Sequence, residues 1–152
     1  DIQKAAGRVM AAVQNKPVLV FVSAKDACRS QMAAAFAKQA AKGDIRVLSA
    51  GIQPAEDIDP LALNFMAQQG IDIKYRLPQA LDTLMAEEFT NNLPLCVVCL
   101  EPDITPIPGV KTLFWDLPEA ADAEHAALVG KEIQARADAL VASVKQTRAA
   151  NR

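Results

Sequence analysis

The stretch Val18-Leu-Val-Phe-Val-Ser-Ala-Lys-Asp-Ala-Cys-Arg-Ser-Gln-Met32 decides how this chain folds. It holds a near-continuous apolar run with β-branched residues, a short polar loop, and an Ala-rich helix beginning near Arg29. Such a run is the pattern of a strand buried on both faces of a parallel sheet. A strand entering a helix through a short loop turns backbone N–H groups and the positive helix end toward one point. That point should bind an anion.

Outward from this stretch, the remaining elements alternate. The spacing predicts a helix over Arg29 to Lys42 with Gly43 as C-cap, and a strand at Ile45 to Ser49 broken by Ala50-Gly51. Asp59-Pro60 starts a helix that runs to Gln69, with a carboxylate N-cap, Pro at the first position and Leu61, Leu63, Phe65 and Met66 as its apolar face. Ile71 to Arg76 is a connector or a weak edge strand, and Leu77-Pro78 opens a short helix toward Met85. Leu95 to Leu100 and Val110 to Trp115 are the third and fourth strands. A closing helix from about Ala121 to Arg148 carries Leu128, Ile133, Ala137, Leu140, Val141 and Val144 on one side. The expectation is an α/β domain with a four-stranded parallel sheet flanked by helices, three layers in all, over residues 17–152. Residues 1–16 form either a packed N-terminal helix, with Ile2, Ala5, Val9 and Val13 at helical spacing, or a linker from another domain.

The 152 residues, 51% of them apolar, suit one globular domain. A net charge of −2 without any Lys or Arg run argues against a nucleic-acid or membrane surface. No apolar segment approaches the ~18 residues of a membrane span, and no signal-peptide pattern opens the chain. The three cysteines follow no disulfide framework, so the expected location is the cytoplasm. Cys96 and Cys99 are three apart on one strand, about 10 Å along the chain and on opposite faces. They read as small core residues, and without a second ligand pair no metal is expected. No cofactor is expected either.

The stretch Ser23-Ala-Lys-Asp-Ala-Cys-Arg-Ser-Gln-Met-Ala33, followed by Val47-Leu-Ser-Ala-Gly-Ile52, Asp59-Pro60 and Gly70-Ile-Asp-Ile73, resembles the low-molecular-weight protein tyrosine phosphatase superfamily. The thioredoxin-coupled arsenate reductases are the nearer branch. The resemblance spans about Val18 to the last helix. It implies an anion cradle formed by Ser23, Ala24, Lys25, Asp26, Ala27, Cys28, Arg29 and Ser30. It also implies a nucleophilic Cys at the position of Ser23, an anion-binding Arg at Arg29 and a late general acid, usually Asp followed by Pro.

This sequence departs at several of these positions. Ser23 replaces the nucleophile, Lys25-Asp26 replaces Gly-Asn, and Trp115-Asp-Leu-Pro-Glu-Ala120 carries Glu119 at the general-acid position. Ala34 stands where the reductase branch has Glu. Glu101 stands at the first of the two later cysteines through which arsenate reduction passes its disulfide. A helix start and a cationic neighbour can bring a thiol of pKa ~8.5 below neutrality, but a serine hydroxyl is far too weak an acid for that shift. No histidine accompanies Ser23 as a base.

Three readings follow. In the first, the domain binds a phosphate-, sulfate- or arsenate-like anion and has weak or absent catalysis. In the second, it is an active phosphomonoester hydrolase of the tyrosine phosphatase type, or an arsenate reductase, seen as a Cys-to-Ser variant. Several neighbouring departures speak against a single replaced residue. In the third, it is an interaction domain whose loop binds nothing and which regulates a neighbour joined through the first helix; the partners expected besides the anion are a phosphoprotein or a neighbouring domain.

Among individual residues, Cys28 is either a redox-sensing thiol or a packing residue of the loop. Glu119 is either a proton donor or a solvated surface residue. Asp116 is expected to cap a turn or helix, and His125 to be exposed. Arg29 is the firmest site residue, because its charge at a helix start is unfavourable unless an anion or carboxylate lies beside it.

Overall fold

A computed structural model describes residues 16–150. The predicted helix within residues 1–16 lies almost wholly outside these, with only Lys16 described. Four strands, β1 (Val18–Ser23), β2 (Arg46–Gly51), β3 (Cys96–Cys99) and β4 (Lys111–Phe114), form one parallel sheet in the order β2-β1-β3-β4. The helices are α1 (Arg29–Ala41), α2 (Pro60–Gln68), α3 (Leu81–Glu88) and α4 (Ala123–Ala150).

The two apolar runs, β1 and β3, are the central strands, and alternate residues feed two separate cores. Leu19, Phe21, Cys96 and Val98 face α1, α2 and α4, whereas Val20, Val22, Val97 and Cys99 face Leu81 and Leu84 of α3. Cys96 and Cys99 therefore lie on opposite sides of the sheet, as strand periodicity requires. Each fully buried Leu, Val or Phe contributes roughly 1.5–3 kcal/mol relative to exposure. In α1 the run Ala33, Ala34, Ala35 and Ala37 is buried, and these small side chains let α4 pack closely.

Several expectations are corrected. Ala50-Gly51 does not break the second strand, because Gly51 still pairs with Ser23 at its end. Of the two readings of Ile71 to Arg76, the connector is the one found; Ile73 is buried, and Asp72 turns the chain by accepting from the Lys74 N–H. The third helix starts at Leu81 rather than Leu77, since the chain before it is held extended by the bond from the Gly51 N–H to the Gln79 carbonyl and by the bridge between Gly51 and Ala80. Leu128 is 62% exposed, and the buried face of α4 runs instead through Ala126, Val129, Gly130, Ile133, Ala137, Val141 and Val144. The start of α4 is capped by Asp122, not Asp116: its carboxylate accepts from the His125 N–H at 2.9 Å and lies 2.7 Å from Nδ1 of that exposed ring. Those bonds hold the Asp122 carboxyl below its usual range.

Among the described residues no helix is long and apolar enough to cross a membrane.

Candidate functional site

The loop between β1 and α1 lies at the carboxyl end of the sheet, where β1 is flanked by β2 on one side and β3 on the other. In open α/β sheets ligands bind at such a point. The loop is turned inside out by its surroundings. The carbonyls of Ser23, Ala24, Lys25 and Ala27 accept from the N–H groups of Ile52, Gln53, Ala55 and Asp59, at 2.8–3.3 Å. With its carbonyls held outward, the loop presents its N–H groups to the interior. Among the described residues nothing accepts from the N–H groups of Lys25, Ala27, Cys28 or Arg29. Successive free amides of this kind make an anion-binding concavity.

Two backbone features hold that shape. Asp26 sits in the left-handed region with φ of 51°. Gly51 lies directly behind it, where a Cβ would come within 2.9 Å of the Asp26 N and the Lys25 carbonyl carbon. The Ser-Ala-Gly sequence after the loop thus has a steric meaning, since only glycine lets the loop approach the end of β2.

Arg29, 7% exposed, is fixed from three directions. Its Nη1 donates to the carbonyls of Leu100 at 3.2 Å and Leu117 at 2.6 Å, and its Nη2 donates to Glu101 Oε1 at 2.7 Å. Glu119, largely exposed, stands 3.6 Å from Nη2. The same Glu101 Oε1 accepts from the Ala24 N–H at 3.2 Å. Glu101 was not singled out as a site residue in the sequence. The carboxylate that a cation at a helix start demands is this one, the first residue after Leu100 at the end of central strand β3.

Beneath the cradle runs an ordered polar chain. Ser30 Oγ donates to Asp26 Oδ1 at 2.7 Å and lies 2.7 Å from Ser23 Oγ, which also accepts from the Asp26 N–H at 3.0 Å. With Asp26 ionised, the single Ser30 proton is committed to the carboxylate, so Ser23 is the donor to Ser30. Asp26 Oδ2 accepts from the Gln79 N–H at 3.1 Å. Gln31 bonds to the Asp26 carbonyl and to Arg76, which reaches on to Ser49. Burial pushes the Asp26 carboxyl above the usual aspartate range, against the lowering effect of these hydrogen bonds and of Arg76.

Ser23, Ala24, Lys25, Ala27, Cys28, Arg29 and Glu119 line one cavity of about 230 Å³, joined by Asp59, Glu101 and Ala120. Asp26 and Ser30 lie below its floor and are fully buried. The Cys28 thiol is pushed up to about 11, chiefly by burial and also by the Asp59 carboxylate, which together outweigh Arg29. A thiolate is therefore not favoured there, in contrast to what its place beside Arg29 suggests. Burial raises both other thiols, Cys99 to about 11. Among the described residues no group of acidic, His and Cys side chains could hold a metal ion.

The model of the low molecular weight phosphotyrosine protein phosphatase family matches residues 18–96. An arsenate reductase of Bacillus subtilis is 35% identical over 118 residues, 74% of this chain and 79% of that protein. The solved arsenate reductase of Archaeoglobus fulgidus superposes with a TM-score of 0.71 at 25% identity, covering 82% of this chain and 98% of that one. A further arsenate reductase, solved in its phosphate-binding state, gives 0.73 at 25% identity over 84% of this chain and 98% of that one. With the sheet order, the inverted loop and Arg29 in place, these matches place the chain in the low molecular weight phosphotyrosine protein phosphatase family.

Proposed function

We propose that this domain binds a phosphate-like oxyanion in the loop Ser23 to Arg29, and that its turnover as a hydrolase or reductase is weak or absent because Ser23 replaces the nucleophilic cysteine. The observation that carries this reading is the carboxylate of Glu101. It lies against the Ala24 N–H and the Arg29 guanidinium. The loop is thus already arranged around one negative charge supplied by the chain itself. A tetrahedral oxyanion would take those two donors and the remaining free amides, releasing Glu101 toward solvent. The relative solved in its phosphate-binding state supports the same reading.

Weak catalysis is supported by the chemistry of position 23, where a hydroxyl cannot reach the anionic form that a thiol reaches beside a helix start. Arsenate reduction is further disfavoured by the thiols. Glu101 stands at the first of the later cysteine positions, and Cys96 and Cys99 are buried on opposite faces of the sheet. Glu119 lines the cavity with a largely exposed carboxylate, 3.6 Å from Arg29 Nη2.

The test is calorimetric titration with phosphate, sulfate and arsenate in low-salt buffer. Saturable binding to at least one of them is expected. No saturable heat with any of the three removes the reading.

A further inference from the structure

We infer that Ser23 is a slow phosphoryl acceptor, its hydroxyl activated through Ser30 by the Asp26 carboxylate. This deepens the oxyanion-binding reading and rests on it.

The inference rests on two hydrogen bonds and their direction. Ser30 Oγ lies 2.7 Å from Asp26 Oδ1 and 2.7 Å from Ser23 Oγ. Ser30 has one proton, and with Asp26 ionised that proton points at the carboxylate, so the Ser23 proton points at Ser30. The relay is therefore set to carry a proton away from Ser23. The Asp26 N–H donates to Ser23 Oγ at 3.0 Å and stabilises negative charge growing on that oxygen. All three residues are buried, so water does not compete for these bonds. A thiol needs no such base, whereas a serine nucleophile does. In this loop the serine and a carboxylate occur together, where the resembling family has Cys and Asn.

The step balances without a further reactant beyond a phosphomonoester. The Ser23 Oγ–P bond forms as the P–O bond to the leaving group breaks. The Ser23 proton passes to Ser30 Oγ as the Ser30 proton passes to Asp26 Oδ1. A nitrophenolate leaves with its electron pair and needs no proton. Ser23 lines the cavity floor, and the free amides with Arg29 surround the position that the transferred group would occupy. Breakdown is slow, because a serine oxygen is a much poorer leaving group than a thiolate of pKa ~8.5. The phosphoserine therefore accumulates instead of turning over.

The test uses the full chain and 4-nitrophenyl phosphate, alongside calorimetry with inorganic phosphate. The expected result is a burst of up to one nitrophenolate per chain, a mass gain of one phosphoryl group mapped to Ser23, and none of either in Ser23→Ala. Asp26 acts only through Ser30 and is a positioning residue. Asp26→Asn should slow the burst on the order of 100-fold or more while phosphate affinity is kept or raised, a split that a collapsed loop would not give. If Asp26→Asn fails to fold, Ser30→Ala should show the same split. Phosphate binding without any phosphorylation of Ser23 overturns the relay and leaves the anion-binding reading intact. No phosphate binding removes both, and an unchanged burst in both relay variants overturns the part assigned to Asp26.

Discussion

Replacing Glu101 by Gln should tighten phosphate binding while lowering the stability of the empty domain, two effects of opposite sign from one residue. Glu101 Oε1 holds two donors that an oxyanion needs, Arg29 Nη2 at 2.7 Å and the Ala24 N–H at 3.2 Å. Hydrogen bonds involving a charged group contribute about 1.5–3 kcal/mol, and neutral ones about 0.5–1.5. Exchanging the carboxylate for an amide makes the Ala24 bond neutral, a loss of about 1–1.5 kcal/mol, and removes the ion-pair part of the bond from the still-charged Arg29, roughly as much again, so the internal competitor weakens by about 2–3 kcal/mol. Glu101 keeps some exposure and regains water when displaced, which returns about half of this. What remains is close to 1.4 kcal/mol, or about tenfold in affinity. Calorimetric titration of both proteins in the same low-salt buffer measures that ratio. A thermal scan with and without phosphate checks the other sign, because ligand stabilisation grows with the ratio of concentration to Kd. The variant should melt lower when empty and gain more from phosphate. Equal affinities, or weaker binding by the variant, would refute the competition and make Glu101 either irrelevant to the anion or part of its site.

Three further perturbations probe the same loop. Ser23→Cys alone should give a thiol of little reactivity, because ionising it places a second negative charge two hydrogen bonds from Asp26. Ser23→Cys with Asp26→Asn should lower the thiol pKa by about a unit or more, read from the pH dependence of alkylation. Equal profiles for the single and double variants would show that the carboxylate does not couple to position 23. Gly51→Ala places a Cβ against the Lys25–Asp26 peptide at 2.9 Å, so stability should fall by about 1–3 kcal/mol. Phosphate affinity should fall with it, and unchanged calorimetric affinity would show that the loop has room to shift. Asp26 has its pKa raised above the ordinary aspartate value of about 3.9, so the folded state binds this proton more tightly than the unfolded chain does. This contribution to stability is complete below the ordinary value and is lost as pH rises through the raised one. Urea midpoints across the acid range should show that loss in the natural chain and not in Asp26→Asn.

The fold was legible where one physical rule dominated. β1 and β3 read as buried strands because both faces are covered, and Asp59-Pro60 read as a helix start because its carboxylate accepts from the Leu61 N–H. Cys96 and Cys99 could be placed on opposite faces from spacing alone. The misreadings come from residues whose role is set by distant partners. Pro78 looked like a helix opening, yet Gly51 and Asp26 pin the neighbouring Gln79 in an extended stretch. Leu128 fits the apolar spacing of α4 but lies on its solvent side, while Ala126, Val129 and Gly130 face inward. At the site, the need of Arg29 for a carboxylate was readable, but its identity depends on strand order. Glu101 is 72 residues away in the chain and becomes a neighbour only because β3 pairs with β1. On the proposal above, the base for Ser23 is not a histidine but a carboxylate inside the loop, Asp26, reached through Ser30.

These site residues bear on why serine stands at position 23. A thiolate nucleophile requires its surroundings to favour negative charge, and a carboxylate close by raises its pKa. Asp26 is two hydrogen bonds from that position, and Glu101 holds the nearest guanidinium. Cys28 shows the effect in the same cavity: burial and a neighbouring carboxylate push its thiol up to about 11 despite Arg29. A cysteine at position 23 would meet a related environment, mostly protonated and with its activating cation already paired. Serine loses less there, because its chemistry calls for a nearby base rather than a nearby cation. The changes at Ser23, Asp26 and Glu101 are thus mutually consistent as a set. A lone Cys-to-Ser replacement would not explain the two carboxylates, whereas the two proposals above give each a part: Asp26 bonded to Ser30 beside Ser23, and Glu101 on the donors that an oxyanion would take.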